Sequence, residues 1–372
     1  MGYSKLDIKK ILAEHYVYDA WQFLQNAYKN IGTAEFCFFM IKNWIEKMNK
    51  EHLDWYNGMI KELQENKSFS VSFDSLPKFT VSINGIESSY SFLIDKYIKD
   101  FFQYTRNSLD SVAQFINSSL LANKSLNIER VDFNKIVSFF EDNNLKNIFC
   151  KTFCQLKSMQ VSDELNYISE FNNRVKHISD APLTMSYSLL STDSVNKIGA
   201  FYKKRSQFEA KDIIEITSNI LNFIKNEYQT LIDVVLDEVK YDKYVVGRMH
   251  SLRFHVQMNN SDPSQNLTVI YVDVNESMDE LPDIIRILFV KKNEDDIEAY
   301  NCDYGDILVR DSKRNFLGRY KLDEEIVEDN LLRYRVYKKD NVDGTLAFVE
   351  HVQKKYPFKP MLMSGQIVNY TS

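Results

Sequence analysis

Apolar residues recur at helical spacing through residues 5–29, at Ile8, Ile11, Leu12, Tyr16, Ala20, Phe23, Leu24 and Ala27. The pattern predicts an amphipathic helix. Gly32 is expected to end it and Thr33 to cap a second helix reaching about residue 66. The period then shortens to two. Phe69, Val71 and Phe73 alternate, then Phe79, Val81 and Ile83, with Pro77 between and Asn84-Gly85 after. That pattern predicts a short β-hairpin inserted among helices. Helical spacing returns over 89–122 and in two shorter segments at 132–143 and 145–158. Ser162 is placed to cap the next helix, with Asp163 and Glu164 in the first turn, where the helix dipole favours anions. Residues 183–206 read as extended, and a strongly periodic helix fills 210–240.

The pattern changes near Tyr241. Short alternating runs follow at 245–258, 267–273, 285–292, 297–302, 306–310, 315–321 and 331–338, with a short helix expected near 345–355. The fold class is therefore α+β: a mainly helical N-terminal bundle with small β-hairpin insertions over residues 1–240, then a β-rich α+β domain over 245–372. Only 10 glycines and 6 prolines in 372 residues favour long uninterrupted elements.

The net charge of −6 argues against a whole-surface binder of nucleic acid or membrane, while leaving room for a local basic face. The densest apolar run, residues 36–41, is far short of a membrane span, and the N-terminus lacks an apolar leader core. The chain reads as cytoplasmic, with no membrane partner. Cys37, Cys150, Cys154 and Cys302 are too sparse for a disulfide framework and are expected as buried free thiols. Phosphate-binding glycine loops, the Gly-x-Ser-x-Gly elbow, Cys-x-x-Cys and His-Glu-x-x-His are all missing from the sequence. A dinucleotide oxidoreductase, P-loop NTPase, serine hydrolase or zincin is thereby disfavoured.

The segment most informative about chemistry is Phe171-Asn172-Asn173-Arg174-Val175-Lys176-His177-Ile178. Arg174 and His177 lie three apart and share a helical face, with Asn173 and Lys176 as a second polar pair beside them. A neutral imidazole can act as a general base, and a neighbouring guanidinium can stabilise a pentacoordinate phosphate. Cleavage of RNA by its own 2′-hydroxyl needs such groups alone. The bland alternative is a helix end carrying cations where its dipole favours them.

An Asn-x-x-Lys-His sequence ending a helix, before an extended hairpin and a final helix, resembles HEPN domains (higher eukaryote and prokaryote nucleotide-binding) over about residues 5–240. The resemblance implies a helical bundle that binds RNA or a nucleotide, often as a homodimer. It also implies metal-independent ribonuclease chemistry without a cofactor, in bacterial toxin–antitoxin or phage-defence systems. It makes His177 the general base or a phosphate contact; beside it, Arg174 and Lys176 are read as charge stabilisers and Asn173 as the residue that orients the helix end. Counting back from His177, the family arginine falls at 170–172, which are Glu170, Phe171 and Asn172 here. Only His177 therefore carries over directly; Arg174 lies too close to be the family arginine and is a candidate substitute for it, and cleaving and non-cleaving versions both fit. The alternative is a scaffold in which the bundle dimerises and the β-rich domain docks a protein partner.

Three further patterns carry weaker signals. As a strand, residues 333–339 place Arg333, Arg335, Tyr337 and Lys339 on one face, which suits phosphate contact and base stacking. Arg310, Lys313, Arg314, Arg319 and Lys321 are placed to widen that patch. Asp306, Asp311 and Lys313 faintly resemble a metal-nuclease pattern. His250 and His255 point to opposite faces of one strand, which disfavours a shared metal.

Overall fold

The computed structural model describes residues 3–14, 18–66, 76–121, 125–126, 130–178, 182–203, 206–239, 249–257, 267–273, 284–292, 297–299, 305–311, 313, 315–323, 335–340 and 365–371. The chain is α+β, as the periodicities require. Helices α1 (Lys5–Glu14), α2 (Tyr18–Asn66), α3 (Tyr90–Leu120), α4 (Phe133–Asp142), α5 (Cys150–Gln160), α6 (Asp163–His177) and α7 (Ile213–Glu238) form the N-terminal part.

Helix α2 runs through Gly32 and Thr33 without a break, contrary to the expected boundary. Thr33 donates its hydroxyl to the Lys29 carbonyl at 3.0 Å and so caps nothing. One exposed glycine costs a helix about 1 kcal/mol, and the buried stripe Ile31, Ala34, Cys37, Ile41, Trp44 and Met48 outweighs it. Helix α3 lies antiparallel to α2, since Trp44 packs at a tilt against Tyr90 while Phe36 meets Tyr97 edge-on. Helix α7 contributes the stripe Ile213, Ile216, Ile220, Ile224, Tyr228, Leu231 and Val235, buried throughout. Among the described residues, side-chain caps start five of the helices: Ser4 for α1, Ser89 for α3, Asp132 for α4, Ser162 for α6 and Asp212 for α7.

The inserted hairpin is β1 (Thr80–Ile83) and β2 (Ile86–Ser89). Asn84-Gly85 is its turn rather than its end, with φ of 52° and 83°, the positive pair a type I′ turn demands. The expected arm at 69–73 lies outside the described residues. Between α6 and α7, β3 (Leu183–Tyr187), β4 (Ser194–Ile198) and β7 (Lys211–Asp212) form an antiparallel sheet. Strands β5 (Phe201–Lys203) and β6 (Ser206–Phe208) form a separate hairpin.

From residue 249 the chain is β-rich: β8 (Met249–Gln257), β9 (Leu267–Asp273), β10 (Ile284–Lys292), β11 (Ile297–Ala299), β12 (Asp306–Arg310), β13 (Phe316–Leu322), β14 (Arg335–Asp340) and β15 (Gly365–Thr371). Pairing runs β10-β14-β13-β12-β9-β8-β15 and returns from β15 to β10, so the sheet closes on itself. Among the described residues, closure leaves the seven strands of that ring no open edge, while β11 pairs with β10 alone. Of these pairings, β9–β12 alone is parallel. The helix expected at 345–355 lies outside the described residues. Strand β15 was not foreseen, because its adjacent Ile367 and Val368 break strict alternation.

Two of the four cysteines depart from expectation. Cys37 is buried, but Cys150 and Cys154 are exposed, and Cys302 lies outside the described residues. Helix α5 buries Thr152, Leu156 and Met159, which turns residues 150 and 154 outward. Burial, aided by Asp100, pushes the Cys37 thiol up to about 11. A maleimide at pH 8 is therefore expected to label Cys150 and Cys154 in the native protein and Cys37 only in denaturant. Native labelling of Cys37, mapped by peptide mass, would contradict this packing.

Candidate functional site

The end of α6 is held by aromatic packing. Phe171 is buried and stacks on Phe102 of α3, with ring centroids 4.0 Å apart. Tyr167 and Phe171 both meet Phe201 of β5 edge-on, and Phe201 stacks on Phe208 of β6 at 4.8 Å. The β5–β6 hairpin is thus clamped onto α6 through its two phenylalanines. Burial raises the Tyr167 phenol well above its usual range. Asn172, also buried, donates to the Phe102 and Ile168 carbonyls at 2.8 and 3.0 Å. It is a structural tie that motif reading passed over in favour of Asn173.

Cations surround this aromatic cluster. The Arg174 guanidinium lies 5.9 Å from the centre of the Phe201 ring, and Lys211 Nζ lies 5.3 Å from that of Tyr167. Arg174 and Asn173 are half-buried, while Lys176 and His177 are exposed. Among the described residues no hydrogen bond or ring contact joins Arg174 to His177. Arg174 packs on the hairpin, and the imidazole stands free in the last turn.

Helix α3 supplies a polar seam on the neighbouring side. Arg106 donates to Ser169 Oγ of α6 at 3.1 Å and lies 3.5 Å from Asp110 Oδ1. Burial pushes the Asp110 carboxyl above its usual range. Arg106, the Phe133 N–H and Lys176 pull it back in part. Lys176 therefore lies within electrostatic reach of α3 as well as of solvent.

The local charge is the feature that motif reading missed. Residues 174–211 carry seven Lys and Arg against three Asp and Glu, in a chain of net charge −6. The sequence signal was present as Lys203-Lys204-Arg205, directly after Tyr202. Residues 204 and 205 lie outside the described residues. Tyr202 itself is 62% exposed.

The C-terminal candidates fare differently. Tyr337 is fully buried and Lys339 half-buried, so their face of β14 is no open stacking surface. Arg335 lies in β14, and Arg333 lies outside the described residues. Both faces of this strand mix charged and apolar residues, so the sequence does not declare which one turns inward. Arg319 is neutralised by Asp306 at 3.1 Å and Asp340 at 3.6 Å, and Lys321 by Asp340 at 3.1 Å. The expected basic patch is thus a network of ion pairs at these positions.

Asp306, Asp311 and Lys313 do not converge. Asp306 and Asp311 stand at opposite ends of β12, about 16 Å apart at strand rise, and Asp306 pairs with Arg319. Asp311 instead closes the β12–β13 turn, accepting from the Asn315 backbone and side chain at 2.7 Å each. Burial works to raise its carboxyl, but hydrogen bonds from Asn315 and Lys313 prevail and hold it below its usual range. Among the described residues no group of three or more His, Cys, Asp or Glu is arranged to hold a metal ion. His250 and His255 lie in β8, opposite Ile367 and Val269 across the ladders. No described helix is long and apolar enough to cross a membrane.

Residues 250–368, which run from β8 into β15, match the model of a family described as a domain of unknown function (DUF8310). No curated protein and no solved structure matches the chain.

Proposed function

We propose that this is a bacterial conflict or phage-defence protein of HEPN type, cytoplasmic, whose helical part binds RNA at the end of α6. The observation that carries the reading is that Arg174, Lys176 and His177 end α6 at the head of a stretch, residues 174–211, that is rich in Lys and Arg in a protein of net charge −6. Phosphate contacts supply most of the affinity in such interfaces, and they need local cations rather than a basic whole. Residues 1–240 and 245–372 act as two units, the first as a homodimer and the second docking a protein partner through its closed sheet.

RNA cleavage is the second reading, favoured by the exposed imidazole of His177. The 2′-hydroxyl would give its proton to His177 and attack the adjacent phosphorus. The bond between phosphorus and the 5′-oxygen would then break as that oxygen takes a proton from a water molecule, leaving a 2′,3′-cyclic phosphate and a 5′-hydroxyl. Two measurements test these readings. Ultraviolet irradiation of expressing cells is expected to crosslink RNA to peptides within 171–211. Adducts confined to other peptides, or none, would overturn the binding site. Induced expression that fragments total RNA in the wild type but not in His177→Ala supports cleavage, and intact RNA in both strains removes it.

A further inference from the structure

The β5–β6 hairpin carries a feature that packing does not explain. Its inner face is committed to the bundle through Phe201 and Phe208. Its outer face presents Tyr202, 62% exposed, across the ladder from the exposed Gln207. The backbone that carries the ring is nevertheless anchored, because the residue before it packs against Tyr167, Phe171 and Arg174. Lys203 follows it in β5.

We infer that Tyr202 is a base-stacking platform for single-stranded RNA, an inference that rests on the RNA-binding reading above. An exposed ring stacks on any base face, and neighbouring cations hold the phosphates that flank it. An apolar protein partner would fit the ring but not the exposed cations set on the neighbouring elements, Lys176 at the end of α6 and Lys211 beside Tyr167. A duplex does not fit the ring, since its bases are already stacked on one another. The occupant is therefore an unpaired stretch of RNA that crosses the hairpin and continues to the end of α6, where Lys176 and His177 are exposed.

The test is equilibrium binding of the full chain to a labelled oligouridylate of about 12 nucleotides, a typical single-strand site size, and to an RNA duplex of similar length. Base–aromatic stacking is worth about 1–3 kcal/mol per base, so Tyr202→Ala should weaken single-strand binding roughly 5- to 150-fold. Tyr202→Phe keeps the ring and should stay within about twofold of wild type. Duplex binding should be the same for all three proteins. Wild-type affinity of Tyr202→Ala for the oligouridylate, or an equal loss on the duplex, overturns the platform and leaves RNA binding standing. Failure of the wild type to bind either RNA overturns the RNA-binding reading, and the platform with it.

Discussion

Phe171→Ala is expected to lower the stability of the helical part by about 3–5 kcal/mol, the usual cost of removing a buried aromatic side chain. Phe171 is 1% exposed and touches Phe102, Tyr167 and Phe201, so the vacated space borders three rings that cannot all move into it. The same residue fixes the end of α6 on both α3 and β5. Its removal should therefore loosen the turn that carries Arg174, Lys176 and His177. Chemical denaturation read by circular dichroism gives the loss directly. A loss under about 1 kcal/mol would mean that α6 is not clamped as described.

Glu238→Ala should be the next most damaging of the substitutions considered, at about 2 kcal/mol. Helix α5 begins after Phe149, which has no side-chain cap to offer. Its first amides are instead capped from the last turn of α7. The buried Glu238 carboxylate accepts from Lys151 N–H at 3.1 Å and Thr152 N–H at 2.9 Å. The bonds are charge-assisted and lie at the positive end of a helix dipole, where an anion is favoured. Alanine leaves both amides without their acceptor, and capping and charged hydrogen bonds each contribute on the order of 1–3 kcal/mol. Glu238→Gln retains one carbonyl oxygen and should lose less. Lys151→Ala, which removes only the exposed pair with Asp237, should change the melting temperature little. Equal losses from Glu238→Ala and Lys151→Ala would assign the effect to surface charge rather than to the cap.

The cap shows why part of the fold was hidden from sequence. Helix faces were readable because each stripe is local: Ile213 to Val235 announces α7 by spacing alone. Ser162 was readable as a cap for the same reason, lying three residues before the amide it accepts. Glu238 acts on amides 86 and 87 positions away, and no local pattern encodes that pairing. Gly32 misled because a breaker's intrinsic cost was weighed without the stripe of burial that overrides it. In the closed sheet, Tyr337 looked like a partner for bases because its strand alternates with arginine and lysine. Closure turned that ring inward and left Lys339 half-buried.

The site was legible in its residues but not in its arrangement. Arg174 and His177 share a face by spacing, yet Arg174 packs on Phe201, a partner 27 residues on. Tyr202 was passed over because an exposed tyrosine is unremarkable until the strand carrying it is seen clamped to the same helix.

The most direct test of the central claim is the salt dependence of single-stranded RNA binding, measured for the wild type and for Lys176→Glu/Lys211→Glu. Each phosphate contact contributes a slope of about −0.7 in log affinity against log salt. A site using three or four cations predicts a wild-type slope of roughly −2 to −3, a shallower one in the variant, and no change for Lys42→Glu/Lys61→Glu on α2. A slope near zero, or equal losses from the two charge reversals, would contradict an RNA site at the end of α6.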